Sequence, residues 1–489
     1  MKKIWVVMGI FVILSGIPLY PQQEHFRRFP PPPDPLQELK LPPIASALLS
    51  NGLGVSVVSR ENVPFMSVQL VVFAGEVFSS GKLPGTATFA AGMFGRGTLI
   101  HSASDIDEIM ESIGGTLSVA VNQDYVLVTF NFLEEHLDQA LDLLSQMILQ
   151  PNFAENEIAS IKRRTAYDLI DKERDPQFVG KRTLLRLLFK DHPYAKQAFS
   201  SEVVKNWNQA DLMDFFDRYY RPNNAHIILT GNISLGAATR KVSHYLSTWR
   251  PQDIPPVFPL IPKPPDKDKI CLIDVPQAKN CAIYIGAAFP TPTVQERFDL
   301  TVLNQILGGT FASRLFMNLR ESKQYAKFAF SEINFLKDGG VFFAQALDVN
   351  PQTLIPAVQE IQREIKALTG EPISFQEIEQ AKSFLMHHFP LEIERFNDMG
   401  ARAAEIKARD GGDEGWNKYY EQVKLVDAGR VFDAAQKFLL QPFYIVIAGD
   451  KNVLFKSFID FDTYDVYDNK GQFQYSVTKD KKGALNEAR

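Results

Sequence analysis

The sequence predicts a duplicated fold, two copies of one domain in which strands and helices are mixed. Three observations carry this. A chain of 489 residues is too long for one hydrophobic core, and 45% apolar content suffices for packed globular domains. Apolar runs bounded by turn residues alternate with amphipathic segments along most of its length, the patterns of strands and helices. The second half also echoes the first. Leu137 to Ile148 followed by Ala154-Glu155-Asn156-Glu157-Ile158 is mirrored by Leu354 to Leu368 followed by Phe375 to Lys382. Arg221-Pro222 through Gly231-Asn232 is mirrored by Gln441-Pro442 through Gly449-Asp450. The offset is about 220 residues in both places, the length of a domain and not of a solenoid unit.

The chain opens with Met1-Lys2-Lys3 and the short apolar run Ile4 to Ile17, then turns polar at Gln22-Gln23-Glu24. Two cations before a short apolar stretch read as a secretory signal peptide over residues 1–22. Export is therefore expected, with the periplasm as compartment. An uncleaved membrane anchor is the alternative, because Ile17, Pro18, Leu19 and Tyr20 make a poor cleavage site. Residues 23–45 contain Phe29-Pro30-Pro31-Pro32-Pro33-Asp34-Pro35, a run short of backbone donors that reads as an extended arm. A formal charge of −5 with no basic run argues against a nucleic-acid partner.

From Ser46 the pattern is globular. Asn51-Gly52-Leu53 is a turn between strand-like runs. Val68 to Gly75 reads as a buried strand, and a loop and helix follow in Gly85 to Thr98. Ser102 is an N-cap for a helix from Ala103 to Ile113. Gly114-Gly115 ends that helix, and strands Thr116–Val121 and Tyr125–Phe132 follow. Helices are expected from His136 to Leu149, from near Ala154 to Asp171, and, after the break at Asp175-Pro176, from Gln177 to Phe189. Pro251 to Lys267 holds seven prolines and reads as an interdomain linker. Cys271 and Cys281 lie in strand-like runs on either side of Val275 to Asn280. As a hairpin these runs would face the sulfurs toward each other; two buried free thiols is the favoured reading.

The stretch Gly85-Thr86-Ala87-Thr88-Phe89-Ala90-Ala91-Gly92-Met93-Phe94-Gly95-Arg96-Gly97-Thr98, with His192-Pro193-Tyr194 and Tyr220-Arg221-Pro222-Asn223-Asn224 further on, resembles the pitrilysin or insulinase (M16) family of zinc peptidases. The resemblance runs from about Leu49 to Asp450. It implies an α+β fold of two homologous domains, each a mainly antiparallel sheet covered by helices. It divides the chain into an N-terminal-type domain at 46–250 lacking the zinc motif, a linker at 251–267, a C-terminal-type domain at 268–460 and a polar tail at 461–489.

In active members the helix carries His-x-x-Glu-His. Two imidazoles one turn apart point into one hole, and the intervening Glu polarises the bound water. Here the matching positions are Thr88, Ala91 and Gly92, a weak hydroxyl, a methyl group and no side chain. Where the family has a distal Glu, Asp168 or Tyr167 stands. The eight histidines include no His-x-x-x-His pair; His387-His388 are adjacent and diverge on a helix, and His192 beside Pro193 reads as fixing a loop. No metal or other cofactor is expected in this chain.

The second half offers something different. Leu307-Gly308-Gly309 through Leu319-Arg320-Glu321 resembles the family's C-terminal domain, where an Arg and a following Tyr reach the zinc site of a catalytic domain. Arg320 matches the Arg. Lys327 holds the Tyr position by spacing, and Tyr325 lies two residues early, on the same face if the segment is a strand. The bland alternative is that Arg320 only pairs with Glu321 or a helix end, and Arg314 reads as a structural anchor. Gly115-Thr116-Leu117-Ser118-Val119 matches the edge strand along which the family's peptides add. The resemblance thus implies a non-catalytic subunit of an exported M16-type peptidase. It would bind peptide and complete the active site of a zinc-bearing M16 homologue, as a heterodimer or a dimer of heterodimers. The alternative is a peptide-binding or scaffold protein with no peptidase partner, for instance a homodimer.

Overall fold

The computed structural model describes residues 39–60, 63–79, 83–256, 264–410, 416–459, 461–479 and 485–488. The signal peptide and the proline run of the arm lie outside the described residues, as do 257–263 of the linker. The rest of the linker, 251–256 and 264–267, carries neither helix nor strand. No helix among the described residues is long and apolar enough to cross a membrane.

The first half builds a six-stranded sheet from β1 (Ile44–Leu48), β2 (Gly54–Ser59), β3 (Phe65–Val72), β4 (Thr116–Val121), β5 (Val126–Leu133) and β6 (Ala225–Gly231), ordered β1-β2-β6-β3-β5-β4. The hairpin turn between β1 and β2 needs Gly52, whose φ is +84°. The second half builds an eight-stranded sheet from β7 (Lys269–Asp274), β8 (Cys281–Phe289), β9 (Phe328–Leu336), β10 (Gly339–Val349), β11 (Tyr444–Gly449), β12 (Thr463–Asp468), β13 (Phe473–Lys479) and β14 (Leu485–Ala488). Its order is β14-β13-β12-β7-β11-β8-β10-β9. The duplication is visible strand by strand. β2-β6-β3-β5-β4 and β7-β11-β8-β10-β9 share one topology, parallel at the first pair and antiparallel thereafter.

Helices of the first half include α1 (Thr86–Gly92), α2 (Ala103–Ser112), α3 (Leu137–Leu149), α4 (Glu155–Lys172) and α5 (Pro176–Phe189). Ser102 caps α2 reciprocally with Asp105. α3 buries Leu137, Ala140, Leu141, Leu144 and Ile148, every third or fourth residue, in the core beneath the first sheet. Asp175 caps α5, with Pro176 at the first helical position, where a missing N–H costs nothing. In the second half α6 (Val294–Leu307), α7 (Leu354–Gly370), α8 (Phe375–Glu392) and α9 (Phe396–Asp410) follow the same plan.

The halves exchange helices. α5 leaves the first half and seats on the second sheet, where Val179, Leu184 and Leu188 share a core with Cys271, Ile273, Tyr284, Phe343 and Val446. α9 seats in turn on β3 and β6 of the first sheet. Each crossing needs a glycine at closest approach. A Cβ on Gly180 would stand 2.7 Å from the Tyr284 ring and 3.5 Å from Ala448. A Cβ on Gly400 would fall within 1.8 Å of Gln69 Oε1 and 2.9 Å of Thr230 Oγ1. Tyr284 and Gln69 occupy equivalent strands, as do Ala448 and Thr230.

Two expectations are corrected and one is met. Residues 461–479 of the expected polar tail are not loose, because β12 and β13 extend the second sheet, with β12 parallel to β7. Tyr464, Val466, Tyr467 and Val477 are buried there, and the intervening aspartates and lysines disguised the strands. The turn between them also docks on the first half. Arg182 donates to the Asn469 carbonyl at 2.6 Å, and Arg186 to that of Gly471 at 3.0 Å. Arg182 also forms a buried ion pair with Glu173 at 3.0 Å. Second, the favoured reading of two buried free thiols is met, because the two cysteine strands do not form a hairpin. β11 lies between β7 and β8, so Cys271 and Cys281 are buried free thiols. Third, the first strand begins at Ile44, inside the residues assigned to the arm.

Candidate functional site

α1 follows β3 as the sequence implies, and its start is held by a carboxylate. Glu76 is fully buried below the helix. It accepts from Ser79 Oγ at 2.6 Å, Gly85 N at 3.2 Å, Thr88 N at 2.8 Å and the Thr88 hydroxyl. Burial pushes its pKa up, and these donors oppose the shift. The arrangement satisfies amides that a helix start leaves unpaired. It also engages Thr88, whose hydroxyl donates into the protein instead of facing a ligand.

α4 lies across from α1. Ile161, Arg164 and Thr165 share with Thr88, Ala91 and Gly92 the wall of a cavity of about 660 Å³. A Cβ on Gly92 would already stand 3.2 Å from Ile161 Cγ2. Asp168, expected as the distal ligand, is not in this wall. It is 56% exposed and pairs with Lys172 at 2.8 Å, one helical turn away. Tyr167 is exposed too. The residues of α4 that face inward follow the 161, 165, 169 phase, which 167 and 168 miss. A zinc ion needs three or four N, S or carboxylate donors around one point. Thr88, Ala91, Gly92, Ile161 and Thr165 supply none, so the residues present do not fit the metal. Among the described residues, no three His, Cys, Asp or Glu side chains converge as a metal site elsewhere.

β4 forms the opposite wall. It is the last strand of its sheet, so one row of its N–H and C=O groups has no strand partner. Gly115, Thr116, Leu117, Val119 and Val121 line the cavity, while Ser118 points away. Arg96, Asp107 and Glu111 complete the lining.

The second-half residues lie apart from this cavity. Arg320 sits on a π-helical turn, Phe316–Ser322, with its side chain 46% exposed and, among the described residues, Glu321 as its ion-pair neighbour at 3.9 Å. Lys327 is exposed and 3.6 Å from Asp348. Tyr325 is half-buried. Neither is on a strand, since β9 starts at Phe328, so the expectation that Tyr325 and Lys327 share a strand face is not met. An aromatic row adjoins them: Phe311, Phe316 and Phe330 contact one another at 5.0–5.8 Å, with Phe311 and Phe328 exposed. Arg314 is structural, held by both Glu377 oxygens at 2.7 and 3.0 Å.

A larger cavity of about 1100 Å³ lies between the halves, walled by Thr88, Tyr125, Lys181, Glu332, Glu405 and Arg409 among others. A hydrogen-bonded clamp at its edge joins the halves. Asp124 accepts from Tyr194 Oη at 2.6 Å and from Lys337 N at 3.0 Å, and Asp338 N donates to Tyr194 Oη at 3.1 Å. His192 holds this loop, its Nδ1 accepting from Tyr194 N at 3.2 Å. The sequence reading missed Glu76, Asp124 and Arg164. A glutamate between Gly75 and Val77, ahead of a helix start, was the one available signal.

Two duplicated sheet-and-helix domains, with a helix-and-edge-strand cleft stripped of metal ligands, define a metallopeptidase scaffold in a ligand-free form. Residues 55–201 match the model of the insulinase family, peptidase M16, and residues 206–385 match that of the M16 inactive domain. The chain belongs to peptidase family M16. It is similar to the non-peptidase homolog YmxG of Helicobacter pylori, 26% identical over 349 residues, which are 70% of this chain and 80% of that protein. It is also similar to an uncharacterized zinc protease, YmxG, of Bacillus subtilis, 23% identical over 397 residues, covering 81% and 96%. Among solved structures, the M16 inactive domain from Pseudomonas fluorescens superposes with a TM-score of 0.77 at 19% identity, covering 83% of this chain and 98% of that one. A protease from Helicobacter pylori gives 0.75 at 20%, covering 83% and 100%.

Proposed function

We propose that this chain is the non-catalytic subunit of an exported M16-type peptidase. It binds extended peptide along β4 and lends Arg320 to the zinc site of a partner M16 chain. The observation that carries this reading is a contrast within one molecule. The metal positions are reused for packing, with Thr88 bonded to Glu76 and Ile161 against Gly92. Arg320, by contrast, keeps an exposed side chain, with Glu321 as a loose ion-pair neighbour. A guanidinium offers five donors in a fixed fork, suited to a peptide carbonyl as it gains negative charge. The half-buried Tyr325 and the exposed Lys327 are the second donors in this scheme. The exposed Phe311 and Phe328 beside them supply apolar contact for a partner.

The test is reconstitution with a zinc-bearing M16 chain from the same host. Peptide cleavage should rise on mixing, and Arg320→Ala should lower the stimulated rate about 100-fold or more, the usual loss of an oxyanion donor. An unchanged stimulated rate would remove Arg320 from the reaction. Absence of any partner, with a stable homodimer in its place, would favour a scaffold protein.

A further inference from the structure

The cavity that contains the degenerate metal positions also has a cation in its wall, and we infer that Arg164 makes the β4 groove a receptor for the free C-terminal carboxylate of a peptide. The inference rests on the peptide-binding reading above and specifies which part of a peptide is held. It goes beyond that reading because edge-strand addition alone does not distinguish a chain end from an internal segment.

The groove has two unlike ends. Gly95 packs on Leu117, since a Cβ on Gly95 would be 2.8 Å from Leu117 Cδ2, and one on Gly115 would be 2.9 Å from Met110 Cε. Asp107 and Glu111, on the helix of Met110, therefore lie toward the Gly115 end, where Arg96 follows Gly95. Toward Val121 the levels run from Gly92 beside Ile161 to Thr88, which with Leu169 and Asn122 also lines the larger cavity. Arg164, one turn past Ile161 on α4 in the direction of Leu169, is the wall's charged residue toward this end. It has no ion-pair partner among the described residues; the nearby Asp168 is engaged by Lys172.

Between the two ends, Leu117, Val119 and Val121 form a half-buried apolar floor against the core. An extended peptide adding to β4 would put alternate side chains over this floor and its main chain on the free edge. The carboxylate belongs at Arg164, where a planar fork can accept both oxygens. At the other end Asp107 and Glu111 would repel it. The peptide therefore runs in the same direction as β4, with its upstream residues toward Gly115.

The experiment uses the full chain and an N-terminally fluorescein-labelled heptapeptide alternating serine with valine, as free acid and as C-terminal amide, followed by anisotropy. The acid should bind about tenfold or more tightly than the amide, the effect of one charge-assisted contact. Arg164→Gln should erase that difference by weakening the acid alone. Arg163→Gln, an exposed neighbour outside the groove, should preserve it. Equal binding of acid and amide by the natural protein overturns the carboxylate site and leaves peptide binding standing, as does a difference that survives Arg164→Gln. Binding of neither peptide overturns both readings.

Discussion

The exchange of helices between the halves can be tested at Gly180. An alanine Cβ there would lie 2.7 and 2.9 Å from two ring carbons of Tyr284, about 1 Å inside ordinary contact. The ring cannot swing away freely. It is buried, and its hydroxyl donates to the Gln177 carbonyl at 2.9 Å, in the first turn of the same helix. Overpacking of this kind costs about 1–3 kcal/mol. Replacing a mid-helix glycine by alanine returns about 1 kcal/mol of helix propensity. The net is a loss of up to about 2 kcal/mol, at about 2–4 °C per kcal/mol in melting temperature for a domain of this size. Gly400→Ala should lose a similar amount. Its Cβ would meet Gln69, which is tied through Nε2 to the Asn397 carbonyl at 2.8 Å, and the buried Thr230. The two sites contact different sheets, so the losses should add in the double variant. Calorimetry or circular dichroism on the purified chain reads the result. A Gly180→Ala protein that melts higher would mean propensity acts unopposed, and α5 would not be seated on the second sheet.

Two further outcomes follow from the first half. Glu76→Gln should cost about 1–3 kcal/mol, because an amide offers one acceptor oxygen where four donors converge on two. The folded pKa of Glu76 lies above its ordinary 4.5, so its contribution is full below that value and declines as pH rises through the raised one. The deficit of the glutamine variant, measured by urea titration, should therefore be largest in acid and shrink across that window. Restoring the motif as Thr88→His, Ala91→Glu and Gly92→His should not restore stoichiometric zinc by elemental analysis. Ile161 occupies the space beside residue 92, and α4 presents no carboxylate to the site. Tight zinc in that triple variant would show that the α1–α4 gap is wider than described.

Much of this was legible in the chain. Thr88, Ala91 and Gly92 could be read because a helical motif has fixed local spacing, and the family order placed it. Asp168 was misplaced because the spacing from α1 to α4 runs through loops and strands. A one-residue uncertainty there turns a side chain by about 100° around the helix. β12 was hidden because a strand with Asp465 and Asp468 among its apolar residues, preceded by Asp462, looks like a solvated tail. The polar face of the first sheet, with buried Ser67, Gln69 and Thr230, gave no sign that α9 would cover it. Such a face shows its partner only in three dimensions. The cysteine hairpin failed for a topological reason: β11 inserts from more than 150 residues away between strands adjacent in sequence.

The turn at Asn469 to Gly471 has a consequence for biogenesis. During synthesis the Glu173–Arg182 pair leaves the ribosome almost three hundred residues before the carbonyl that completes its hydrogen bonding. Until that turn arrives, Arg182 has a donor to spare and the α4–α5 corner stays accessible. Chaperones and proteases would meet the nascent protein there, and a fusion that holds residues 463–479 away from α5 would leave the molecule arrested in the same immature form.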